Sequence, residues 1–134
     1  MPENKIVYLT KEQILLIHSL LIDEIGGSHG VRDRNAVLSL EELLKQKAFG
    51  KELYPTIFIK ATLYARTIIM NHPFIDGNKR TGMTAAATFL EYNGYYMTAQ
   101  EGEIQKFTLE IIHNKCSLET IAEWFKKHSK KLKK

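Results

Sequence analysis

From Thr56 to Met70 the chain reads TIFIKATLYARTIIM, and apolar residues fall on nearly every side of the helix this run would form. Such a helix cannot lie on a surface; it has to be wrapped by others. The segment therefore demands a fold built around a central helix. At 134 residues and 44% hydrophobic content the chain can supply the wrapping, because a chain this long buries a real core. Its length is that of one domain, so residues 1–134 are expected to form a single unit.

The flanking sequence supplies the wrapping helices. Thr10 and Gln13 have capping-box spacing and predict a helix from there to about Ile25, stopped by Gly26 and Gly27. Ile14, Ile17, Leu21 and Ile25 give it an apolar stripe, thickened by Leu20. His18, inside that run, reads as a packed and hydrogen-bonded residue. After the loop GGSHGVRD, a second helix is expected from about Asp33 to Gln46, with Val37, Leu40, Leu43 and Leu44 inward. AFGKELYPT breaks the pattern and reads as an extended or flap-like connection.

NKRTGMTAAATFLEYNG predicts a helix with small residues at Ala85, Ala86 and Ala87 that lets neighbours come close. YYMTA reads as a short extended piece. EIQKFTLEIIHNK is amphipathic through Ile104, Phe107, Leu109, Ile111 and Ile112, and Ser117 caps a last helix with Ile121, Trp124 and Phe125 inward. The fold class is all-α: a compact bundle of about six helices with a short flap segment.

Several function classes fall away. The single cysteine, Cys116, rules out an internal disulfide framework and fits a reducing compartment. The apolar run Ile14–Ile22 is too short to span a bilayer and lacks a cleavage site, so the expected location is cytoplasmic, with no membrane partner. The net charge of +4 is concentrated in KKHSKKLKK, a basic C-terminal tail at 126–134 with six of the 19 Lys and Arg residues; the rest carries 13 cations against 15 acids. Cations gathered in a tail read as a solvated helix end. A nucleic-acid binder would spread them over a face and add stacking aromatics.

Between the two most apolar segments lies NHPFIDGNKRTG, Asn71 to Gly82. Gly77 would open a helix, where free N–H groups and the positive dipole end favour an anion and no Cβ obstructs it. The amides of Gly77, Asn78 and Lys79 can form an anion-binding concavity, with Lys79 and Arg80 in reach of the same anion. Asp76 beside it makes sense as a Mg²⁺ ligand, since magnesium takes one or two carboxylates together with phosphate oxygens. His72 can take a proton from an attacking alcohol near neutral pH, and Pro73 is expected to hold it extended. Phe74 would point into the core. Singly, each residue also reads as turn chemistry: Asp-Gly-Asn as a turn, Lys79 and Arg80 as solvated cations, His72 as a helix C-cap. Together, at a buried helix junction, they read as a site. No GxxxxGK[ST] run occurs in the chain.

HPFIDGNKR resembles the signature of the Fic/Doc (Fido) superfamily. YLTKEQILLIH, GVRD, ELYPT and FLEYNGY resemble its death-on-curing branch over residues 6 to 126 or so. The resemblance implies the Fic fold and a single Fido domain. It also separates two chemistries. AMP-transferring relatives have glycine where this chain has Lys79, and a second arginine where it has Met83. Both departures match the death-on-curing type, which resembles the AMP-transferases in fold but acts as a kinase. What this implies is a toxin of a type II toxin–antitoxin system. It would pass the γ-phosphate of ATP, with Mg²⁺, to a threonine hydroxyl of elongation factor Tu and so halt translation. A prevents-host-death type antitoxin would be its partner.

In that carry-over His72 is the general base, Phe74 a core anchor and Asp76 the metal ligand, while Gly77, Asn78, Lys79 and Arg80 hold phosphates. Residues Lys51 to Thr56 would act as the flap that aligns the target. The alternatives are AMP transfer to a protein hydroxyl and a catalytically silent partner-binding helical module. TAQEG has one residue too few before its Glu to match the family's inhibitory motif, so Glu101 reads as an early-turn helix residue.

Overall fold

The computed structural model describes residues 5–114 and 116–133. Helix α1 (Lys11–Ile25) begins at Thr10, whose hydroxyl accepts from the Gln13 N–H at 3.1 Å while the Gln13 side chain accepts from the Thr10 N–H at 2.8 Å. This is the reciprocal capping box that the sequence spells. The buried face differs from the expected stripe: Ile14, His18 and Ile22 point inward, whereas Leu20 and Ile25 are exposed. A count of apolar residues passes over His18, which lies at the centre of the true face with its Nε2 on the Asp76 carbonyl and its ring on Phe74.

The expected second helix is two: α2 (Arg34–Leu38), capped by Asp33, and α3 (Leu40–Leu44). They part at Ser39, whose hydroxyl donates back to the Asn35 carbonyl at 2.7 Å. Such back-bonding bends helices. The flap segment forms a hairpin, β1 (Lys47–Ala48) against β2 (Lys51–Glu52). Phe49 and Gly50 make its two-residue turn at φ 54° and 80°, the left-handed pair that matches strand twist.

The central helix α4 (Ile57–Asn71) starts at Thr56, whose hydroxyl accepts from the Ile59 N–H. Residues 60 to 65 are buried without a break, and α4 packs on both α5 (Asn78–Tyr92) and α7 (Leu118–Lys127). The α4–α5 contact is the most extensive in the molecule. It is close at Gly82, where a Cβ would lie 2.9 Å from both the Ala65 carbonyl oxygen and the Ile69 side chain, and Ala61, Ala65, Ala85 and Ala86 are small and buried. Lys60 is fully buried within this otherwise apolar helix. Its ammonium donates to the Leu44 carbonyl at 2.8 Å and to Glu52 of β2 at 2.9 Å, which ties the hairpin to the core.

After β3 (Tyr95–Met97), α6 (Glu101–Asn114) buries Phe107 and Ile111 but leaves Leu109 half-exposed. Ser117 caps α7 as expected. The basic tail is only partly a helix end: Lys126 and Lys127 close α7, and Ser129–Lys131 return as β4 antiparallel to β3. The reversal is held at His128, which caps α7, stacks on Trp124 and gives its carbonyl to the Thr98 N–H at 2.7 Å. Lys134, the end of the basic run, lies outside the described residues. The described residues thus form seven helices and two two-stranded ribbons. None of these helices is long and apolar enough to cross a membrane.

Candidate active site

The loop joining α4 to α5 carries most of the residues singled out in the sequence. His72 is the C-cap of α4 and adopts φ 50°, ψ 58°, so the expected extended geometry is corrected to left-handed. Pro73 does exclude the right-handed helical region for His72. The chain escapes it by turning out of α4 there, with the His72 N–H still on the Ile68 carbonyl at 3.3 Å. Arg32 fixes this turn by donating from Nε and Nη2 to the His72 carbonyl at 3.1 and 2.6 Å. Among the described residues nothing hydrogen-bonds the imidazole, and it is exposed.

Phe74 is buried, as expected, and lies on the ring of His18 with centroids 3.8 Å apart and planes 7° from parallel. Asn78, the first residue of α5, commits its side chain to Phe74. It accepts from the Phe74 N–H and donates to the Phe74 carbonyl, both at 2.9 Å. What Asn78 can offer an anion is therefore its main-chain N–H. Asp76 is exposed. Its Oδ2 accepts from the Ser28 N–H at 2.9 Å, and its carbonyl accepts from His18 Nε2 at 2.8 Å. Oδ1 has no partner among the described residues.

Gly77 is the N-cap of α5 at φ 80° and offers no capping side chain. Among the described residues the first N–H groups of α5 are thus left open. Lys79 and Arg80 continue from this point into a cavity of about 500 Å³ between α5 and α6, walled farther along by Met83, Met97 and Leu109. Arg80 Nη1 also meets Glu101 Oε2 at 3.3 Å. Glu101 is the first residue of α6, as expected, but its ion pair with Arg80 was not foreseen. Of the six site candidates, Lys79 and Arg80 line the cavity; His72, Asp76 and Gly77, on the loop, and Asn78, at the start of α5, are not among its lining residues.

The α1–α2 loop holds this arrangement from outside. Val31 bridges to Phe74, the Arg32 and Asp33 N–H groups donate to the Pro73 carbonyl at 2.6 and 2.9 Å, and the Ile75 N–H donates to Gly30 at 3.1 Å. Sequence reasoning had no chemical signal for Ser28 or Arg32; GVRD stood out only as a resemblance.

The Fic/DOC family profile matches residues 8–90, more than half of the chain, and the chain belongs to that family. It is 31% identical over 117 residues to Toxin Doc of Mycolicibacterium smegmatis, covering 86% of this chain and 88% of that one. It is 23% identical over 116 residues to Protein kinase doc of Escherichia phage P1, covering 87% and 90% of the two chains. The helical bundle around α4 and α5 is accordingly the Fic fold.

Proposed function

We propose that the chain is a toxin that transfers the γ-phosphate of ATP to a threonine hydroxyl of elongation factor Tu, and that a prevents-host-death type antitoxin restrains it. The observation that carries this reading is the uncapped, glycine-led start of α5, with Lys79 directly inside it and facing the cavity. The two relatives, a toxin and a protein kinase by name, agree with it.

The residues fit the substrate and the metal. A cavity of about 500 Å³ is of nucleotide size, cationic at the α5 end and apolar beyond. The open N–H groups of α5, with Lys79 and Arg80, hold phosphate oxygens there, and the apolar wall takes the nucleoside. Asp76 keeps one carboxylate oxygen free for Mg²⁺, while Ser28 fixes the other. A single carboxylate suffices where phosphates supply further oxygen ligands. When bound, the metal neutralises charge on the phosphates. The imidazole of His72 takes the proton of the threonine hydroxyl, whose oxygen attacks the γ-phosphorus; the bond to the β,γ-bridging oxygen breaks and ADP leaves. Lys79 and Arg80 stabilise the charge on the oxygens in transit. This target places the reaction in the cytoplasm.

ATP labelled at the γ- or at the α-phosphorus tests the proposal on purified elongation factor Tu. Label from the γ-position alone is expected. Label from the α-position alone would replace phosphate transfer with AMP transfer, and label from neither would remove the target.

A further inference from the structure

His18 lies on α1, outside the signature, and is 3% exposed. Its ring meets three consecutive parts of the loop. It stacks on Phe74, donates from Nε2 to the Asp76 carbonyl at 2.8 Å, and lies 3.7 Å from where a Cβ on Gly77 would stand. We propose that His18 is a positioning residue that fixes the direction in which the Gly77 N–H is presented to a bound phosphate. This rests on the reading of the α5 start as a phosphate site.

The argument is one of peptide geometry. No described peptide bond is cis. In a trans peptide the C=O of one residue and the N–H of the next point in opposite directions. Holding the Asp76 carbonyl down onto α1 therefore turns the Gly77 N–H up and away from α1. Glycine accepts either sign of φ, so the Asp76–Gly77 peptide could rotate at low cost if nothing held it. Among the described residues the only hydrogen bond to that carbonyl comes from His18. The Asp76 side chain is held separately, by Ser28. A rotated peptide would aim a carbonyl oxygen at the phosphate in place of an N–H, with the carboxylate left where it was. Glycine at position 77 is accounted for by its φ of 80° and by Ile22, which a Cβ there would meet at 3.1 Å, while the His18 ring at 3.7 Å would stay in ordinary contact.

Packing and hydrogen bonding by His18 can be separated. His18→Phe keeps a flat ring on Phe74 and removes the donor. His18→Gln keeps an N–H that can reach the Asp76 carbonyl. The probe is inorganic pyrophosphate, followed through the backbone amide resonances of the full chain. In the wild type, pyrophosphate is expected to shift Gly77, Asn78 and Lys79. In a folded His18→Phe the Gly77 response is expected to vanish and affinity to fall about tenfold or more, while Arg80 still responds. His18→Gln is expected to recover most of both. If His18→Phe does not fold, His18→Leu takes its place as the variant without a donor.

Wild-type affinity and an undiminished Gly77 shift in the variant lacking the donor would overturn the proposal. So would a Gln variant as weak as the one without a donor. A wild type in which none of the three amides responds would instead remove the phosphate site, and the role of His18 with it.

Discussion

Gly77, at the N-cap of α5, and Gly50, in the β1–β2 turn, share a φ of 80°, yet their surroundings differ entirely. A Cβ on Gly77 would meet Ile22 at 3.1 Å and the ring of His18; a Cβ on Gly50 would meet nothing within 4 Å. The α4–α5 loop is gripped on every side: Arg32 on the His72 carbonyl, Asn78 on both polar groups of Phe74, His18 on the Asp76 carbonyl. The β1–β2 hairpin pairs two residues with two, is fastened to the core through Lys60 and Glu52, and holds Phe49 wholly in solvent. In the proposed reaction the first turn would place the reacting proton and the phosphate, and the second would follow the shape of the protein target.

The sharpest way to break that contrast is to alter the tip of each turn. His72→Ala is expected to lower phosphate transfer by about 10²–10⁴-fold with the thermal melt unchanged, because the exposed imidazole supports nothing in the fold. Phe49→Ala is expected to leave kcat and the melt alone and to raise KM for the protein target about tenfold, as losing one aromatic anchor does. A fall in kcat for Phe49→Ala, or a lost melt for His72→Ala, would show that the division of labour is drawn in the wrong place.

The matched glycines come next in size. Gly77→Ala combines a left-handed alanine with a contact that Ile22 must yield to, and is expected to destabilise by about 2–4 kcal/mol. Gly50→Ala meets the backbone strain alone, and about 1 kcal/mol is expected. Denaturant melts of both variants give the difference directly. Equal losses would mean that the packing of α1 against the loop contributes nothing.

The contrast between the turns was legible in the sequence only in part. Helix caps at Thr10, Thr56 and Ser117 are local, and local chemistry reads well from a string of residues. The central place of α4 follows from its composition. The extended character of AFGKELYPT followed from Gly50 and Pro55. What composition could not show was partnership between distant residues. His18 interrupts an apolar stripe, yet it is the middle of the buried face, because its partners Phe74 and Asp76 lie 56 and 58 residues on. Lys60 passed unnoticed in an apolar helix for the same reason: its two acceptors, the Leu44 carbonyl and Glu52, come from the segment before. Pro73 misled about His72, since a rule for pairs of residues does not include a helix end and an arginine that stabilise the left-handed turn.

Lys60 supplies the test of how the hairpin is tethered. Lys60→Met fills the same space and removes the ammonium, leaving the buried Leu44 carbonyl without its donor; a loss of about 1–3 kcal/mol is expected. Chymotryptic cleavage at the exposed Phe49 should then quicken, while the amide resonances of the α4–α5 loop stay in place. Cleavage no faster than in the wild type would mean that the two short strands hold themselves.

The smallest expected effect lies at the other end of the same ion pair. The hydrogen bond from Lys60, with its charge, holds the Glu52 carboxyl below the ordinary range. A carboxyl whose folded pKa is depressed stabilises the folded form above the unfolded pKa, near about 4.3, and that contribution is lost as pH falls through the folded value. The tether should therefore be intact at neutral pH and weaken below about pH 4. Glu52 is 39% exposed, so water screens the pair and the change belongs to the hairpin rather than to the whole molecule. The Phe49 amide resonance should move toward its free-chain position as acid is added, ahead of global unfolding. Glu52→Gln should remove the pH dependence by giving the loosened hairpin at every pH. If Phe49 stays ordered in acid until the core itself unfolds, the hairpin is held by Leu53 on the Gln46 carbonyl and by its own pairing. The two turns would then differ in exposure and not in rigidity.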